Sequence, residues 1–171
     1  IVNRLVFIVV MIVMGLNQGM QPIAGYNFGA KLYGRVNKVL KLTIIYATAV
    51  TTFGFLVGML VPDLVVGIFT SDAELTELSV TGLRITVMFF QIIGFQMVTS
   101  NFFQSIGMAG KAIFLSLTRQ MLILLPCLLI LPQFFGVAGV WYSMPVSDWL
   151  ASLIALGMLV CQFRKFRTSP L

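Results

Sequence analysis

Long apolar runs free of charge constrain this chain more than any other feature. The first covers residues 5–28, and further runs follow at about 42–61, 85–106, 112–131 and 137–163, interrupted only by Arg119 and Asp148. A helix needs roughly 20 such residues to cross a hydrocarbon core about 30 Å thick. Only 9% of the 171 residues are charged and 59% are hydrophobic, whereas a soluble domain coats itself with roughly a quarter of charged residues. A mean hydropathy of +1.03 agrees. In lipid every backbone donor and acceptor is satisfied internally, which leaves helices or closed barrels, and continuous rather than alternating apolar runs select helices. The sequence therefore predicts an all-α membrane protein of about five transmembrane helices, packed as one bundle over residues 1–171, with the lipid bilayer as its solvent.

The connecting segments carry the charge. Lys31, Arg35, Lys38 and Lys41 follow the first run, Lys111 sits in the turn after the third, and Arg164, Lys165 and Arg167 close the fifth. The acids Asp63, Asp72, Glu74 and Glu77 gather after the second. By the positive-inside rule the basic segments face the cytoplasm and the acidic one faces out, which gives five antiparallel crossings, a multi-pass protein of the plasma membrane, bacterial inner membrane by type, and a cytoplasmic C-terminus. The chain opens at Ile1 with no basic segment ahead of its first apolar run, and it reads as part of a longer polypeptide.

Several function classes drop out. The net charge of +6 sits in membrane flanks, so nucleic acid is not a partner. Cys127 and Cys161 are far apart and suggest neither a disulfide nor a metal site, and no cofactor is expected beyond a coupling ion. Histidine, the commonest general base, is absent. No nucleophile, base and orienting group converge on one face, so the chain does not read as an enzyme.

Polar residues inside the runs mark candidate sites. On the first run Asn17, Gln18, Gln21 and Gly25 fall within about 100° of one another, beside Pro22 and the pairs Gly15/Gly19 and Gly25/Gly29. This face reads either as close helix packing with amides bonding across it or as the lining of a watery cavity with Pro22 as hinge. On the third run Gln96, Ser100 and Gln104 stand at i, i+4 and i+8, with Phe89, Phe103 and Gly107 placed on the same side. Amides interleaved with aromatic rings suit organic cations, because a phenyl ring attracts a cation by about 0.5–2 kcal/mol and an amide either donates or accepts. Asp148 lies near mid-membrane, where an ionised carboxylate costs at least about 2.5–3.5 kcal/mol; it reads as a proton- or cation-handling group or as a hydrogen-bonded structural acid beside Pro145 and Ser152. Arg119 reads as a snorkelling side chain near a helix end. Gly54/Gly58 reads as a packing pair and Pro126 as a bend.

The stretch Gly19-Met20-Gln21-Pro22-Ile23-Ala24-Gly25-Tyr26-Asn27-Phe28-Gly29-Ala30, with the basic segment behind it, resembles the start of the C-terminal lobe of multidrug and toxic compound extrusion (MATE) transporters. The resemblance continues through Asn101-Phe102-Phe103-Gln104-Ser105-Ile106-Gly107 with Lys111, and through Gly136-Val137-Ala138-Gly139-Val140-Trp141 to Pro145 and Asp148. It implies most of one lobe of a twelve-helix, two-lobe carrier that exports organic cations in exchange for H⁺ or Na⁺, with helices eight to twelve supplied here and the N-terminal lobe of the same protein as partner. Some members of the family place acidic cation-binding residues on helices seven and ten; the span 85–106 has no acid, so the resemblance points to coupling in the N-terminal lobe, with Asp148 as second candidate. The expected substrate contacts are Gln18, Gln21, Gln96, Ser100, Phe103 and Gln104. Two other functions fit a polar-faced bundle: a lipid-linked oligosaccharide flippase, which calls for a cavity rich in Arg and Lys, and a non-transporting membrane scaffold.

Overall fold

The computed structural model describes residues 2–70 and 73–168, and among these described residues lie eight α-helices and one π-helical segment. Helix α1 (Val2–Gly29) and helix α2 (Tyr33–Leu60) are full crossings joined by a tight turn. That turn is a Schellman cap. Leu32 N donates to Asn27 O at 2.9 Å and Lys31 N to Phe28 O at 3.0 Å, with Lys31 at φ 59°, so the last carbonyls of α1 are satisfied as the chain reverses. Because α2 begins at Tyr33, Arg35, Lys38 and Lys41 lie on its first turns and not in a loop.

A short helix α3 (Pro62–Gly67) leads to α4 (Ala73–Val87) and α5 (Phe90–Ser105). The expected third span, 85–106, is in fact the second half of this pair, and Glu77 stands on α4; Asp72 lies outside the described residues. The two helices are bent by 51° across Met88–Phe89. Counting them as one broken crossing gives five spans.

The fourth span combines α6 (Ala109–Leu117), a π-helical stretch (Thr118–Leu124) and α7 (Leu125–Phe135). Pro126 explains the widened stretch: it has no N–H, and its ring displaces the carbonyl four residues back, so the preceding turns open to the wider π geometry. Helix α8 (Val137–Thr168) returns after a one-residue turn. At that turn Gly136 adopts φ 59° and ψ −139°, a region open essentially to glycine alone, and a Cβ on the next-turn Gly139 would strike the backbone of Leu131 and Pro132. Gly136→Ala is expected to cost about 1–3 kcal/mol, read as a lowered melting temperature in detergent; an unchanged melt would show that the hairpin tolerates another turn.

The core lies where α1, α2, α5, α6 and α8 meet, around Met20, Leu40, Val98, Phe102, Phe103 and Leu115. Gly25 lets α1 approach α5, since a Cβ there would lie 2.9 Å from Ser105 O, and Gly58 does the same for α2 against Val87 on α4; Gly15, Gly19 and Gly29 meet nothing within 4 Å. At one end Tyr33 stacks on Phe166 with ring centres 4.8 Å apart, Phe28 packs on both, and Lys111 Nζ donates to Gln162 Oε1 at 2.5 Å. The basic segments after α1, at the start of α6 and at the end of α8 therefore share one end of the bundle.

Candidate functional site

A half-buried ion pair links the fourth and fifth spans near their middle. Arg119 Nε donates to Asp148 Oδ1 at 2.6 Å, with the Asp148 side chain 4% exposed and that of Arg119 35% exposed. Arg119 is therefore not snorkelling to an interface: it reaches across from the π-helical stretch to α8. An acid and a base each costly in hydrocarbon meet because they sit on neighbouring antiparallel helices joined by the Gly136 turn. Asp148 is about five residues nearer that turn, roughly 7 Å at 1.5 Å per residue, a gap that an arginine side chain spans.

The pair stands in the wall of a cavity of about 400 Å³, which runs under the α4–α5 bend and is lined also by Phe89, Thr86, Ile93, Met97, Gln120 and Ser147. Arg119, Gln120 and Met97 also line a second cavity of about 230 Å³ with Gln96, Ser100, Asn101 and Ser116. A third, about 300 Å³, shares Ser100 and Ser116 with the second and extends to Gln104 and Ala109. The second and third lie between α5 and the α6–π helix, and with the first they make a segmented groove along α5 in which neighbouring cavities share lining residues. Gln96, Ser100 and Gln104 all reach it, as their i, i+4, i+8 spacing predicts.

The other expected contacts lie elsewhere. Phe103 is fully buried in the core, one residue and so about 100° round the helix from Gln104, with Lys111 Nζ 5.3 Å above its ring. Gln21 Nε2 donates to Asn101 Oδ1 at 3.1 Å, which ties α1 to α5. Gln18 is exposed and does not line these three cavities. Asn17, on the same helix, is 2% exposed, and neither its Nδ2 nor its Oδ1 has a partner among the described residues. Pro22 lies inside α1, which runs through it unbroken from Val2 to Gly29. Arg119, Gln120, Asn101 and Ser116 are contacts that the sequence pattern does not single out; the signal for Arg119 and Asp148 is their opposite charge on consecutive antiparallel spans.

The family model described as MatE matches residues 1–130. The chain belongs to the MatE family. The Multidrug export protein MepA of Staphylococcus aureus (strain MSSA476) is 28% identical over 153 residues, 90% of this chain and 34% of that protein. The structure of the MATE multidrug transporter DinF-BH, determined with a bound ligand, is 36% identical, with a TM-score of 0.88 over 98% of this chain and 38% of that one. An inward-facing MATE family transporter of the MOP superfamily shares the fold at 18% identity, with a TM-score of 0.89 over 99% of this chain and 40% of that one. The chain thus spans a little over a third of the length of these relatives. Its four to five long apolar helices are membrane-spanning segments that make up most of one lobe of a twelve-helix, two-lobe MATE transporter fold.

Proposed function

We propose that this lobe works in a multidrug antiporter of the bacterial inner membrane, which exports organic cations by alternating access in exchange for H⁺ or Na⁺, with its C-terminus in the cytoplasm. The observation that carries this reading is the groove itself: an amide and hydroxyl wall formed by Gln96, Ser100 and Gln104, in a bundle that exposes many large apolar side chains elsewhere. Phe89 adds an aromatic wall to the cavity that holds Asp148, a combination suited to a lipophilic cation. Arg119 is the basic residue lining these cavities, and Asp148 neutralises it. A pyrophosphate-carrying flippase calls for several uncompensated cations, so the antiporter is the better fit. Sharing the family of MepA and of the ligand-bound DinF-BH supports the same reading.

Cells expressing the intact protein are expected to export a fluorescent lipophilic cation such as ethidium. Gln96→Ala combined with Gln104→Ala is expected to raise the concentration for half-maximal export roughly tenfold, from about 0.5–1.5 kcal/mol for each lost hydrogen bond. Absence of export, or an unchanged concentration dependence in the double variant, would refute this reading.

A further inference from the structure

The basic end of the bundle gathers cations from three parts of the chain. We propose that the outer face of α2 at that end binds an anionic phospholipid, whose phosphate lies on Arg35, Lys38 and Lys41 and whose acyl chains lie on the apolar residues that follow. Burial sets the face. Val36, Leu40, Thr43 and Ala47 turn inward, while Arg35, Lys38, Leu42 and Ile45, at i, i+3, i+7 and i+10, share the other side and are all exposed. Lys41 and Tyr46 flank them and are exposed as well.

Two observations commit this face to a lipid. The first is its charge. Arg35 stands in the first turn of α2, where the helix dipole is already positive; the N-cap Leu32 makes no side-chain cap, and no acid occupies that turn. Tyr33 stacks on Phe166 with ring centres 4.8 Å apart, which holds the end of α8, with Arg164 and Lys165, beside the start of α2. Lys111 joins the same end through Gln162. The acids among the described residues lie elsewhere: Asp63, Glu74 and Glu77 on α3 and α4, past the other end of α2, and Asp148 at mid-span. Cations gathered without acids at one end of a spanning bundle give a positive potential that draws an anionic headgroup, and a guanidinium beside ammonium groups suits a phosphate. The second observation is the profile along the helix. The face passes from Arg35 to Leu42 within about 10 Å, at 1.5 Å per residue, and stays apolar through Ile45. Headgroup and hydrocarbon follow in that order in a phospholipid standing beside the span, whereas a soluble phosphate leaves Leu42 and Ile45 uncovered.

The site rests on the membrane spans and not on the antiporter reading, because lipid binding is measured without transport. The intact protein, purified in detergent, is melted with increasing dioleoylphosphatidylglycerol, with dioleoylphosphatidylcholine, which has the same chains, and with inorganic phosphate. The anionic lipid is expected to raise the melting temperature until the shift saturates, and the other two to leave it unchanged. Arg35→Gln combined with Lys38→Gln is expected to melt at the unmodified temperature without lipid, since both side chains are exposed. With lipid, it is expected to need roughly thirtyfold more phosphatidylglycerol for the half-maximal shift, the effect of two cations lost beside an anionic headgroup. Arg164→Gln combined with Lys165→Gln removes the same charge from the same end but off this face, and is expected to raise that concentration less than about threefold, because salt screens charges at a distance. Should the first double variant fail to fold, Lys38→Gln and Lys41→Gln take its place singly, each with an expected rise of about fivefold. No shift with phosphatidylglycerol, an equal shift with phosphatidylcholine or inorganic phosphate, or equal losses in the two double variants each overturns the site.

Discussion

Arg119→Leu is expected to destabilise the lobe by up to about 3 kcal/mol, the low end of the cost of removing one partner from a buried ion pair, because here only the acid is buried. The burden falls on the group left behind. Asp148 is nearly fully buried and its oxygen takes the guanidinium Nε, so without Arg119 a carboxylate stays in the protein interior with no counter-charge. Asp148→Asn is expected to cost far less, about 1 kcal/mol, because an amide oxygen still accepts from Nε and the one-third-exposed guanidinium keeps contact with the groove. Arg119→Leu combined with Asp148→Leu is expected to recover most of the loss, since an apolar pair of similar volume replaces two desolvated charges. Thermal melts of the intact protein in detergent read all three. Equal losses for Arg119→Leu and Asp148→Asn, or a double variant as unstable as the summed singles, would show that the pair carries no such coupling.

The crossings were legible because hydrocarbon writes directly onto the sequence: runs of about 20 apolar residues have no other stable home. The turn after α1 was legible from its basic flank, although the flank itself proved helical from Tyr33. The break at Met88–Phe89 was not, because neither residue is a helix breaker and no local signal marks the 51° bend. Pro126 announced a disturbance but not its form, since a missing N–H is met equally by a kink or by a widened turn. The groove was half legible. A ridge at i, i+4 and i+8 put Gln96, Ser100 and Gln104 together, yet the same arithmetic carried Phe103 onto that side, and a single residue of rotation separates a groove-lining glutamine from a core phenylalanine. Arg119 was misplaced for a different reason: depth along one helix says nothing of what stands on the next, and only the adjacent α8 supplies Asp148.

Asp148→Asn is expected to reduce gradient-driven export of ethidium at least tenfold while changing its equilibrium binding by less than about twofold. The two effects separate because the substitution keeps shape and the hydrogen bond from Arg119 but removes the ability to take up and release a proton or to hold Na⁺ by charge. A structural acid and a coupling acid therefore differ in what asparagine does: the first tolerates it, since the fold hardly notices, and the second fails. Asp148→Glu, which restores the charge one methylene further out, is expected to return part of the gradient response. In reconstituted vesicles an imposed H⁺ or Na⁺ gradient is applied in turn, and the ion whose gradient drives the unmodified protein should lose its effect on the asparagine variant. Full gradient-driven export by Asp148→Asn would remove this carboxylate from the coupling step and reduce the Arg119–Asp148 pair to a clamp between α8 and the π-helical stretch, because a group that never changes its charge cannot make transport in one direction depend on an ion moving in the other.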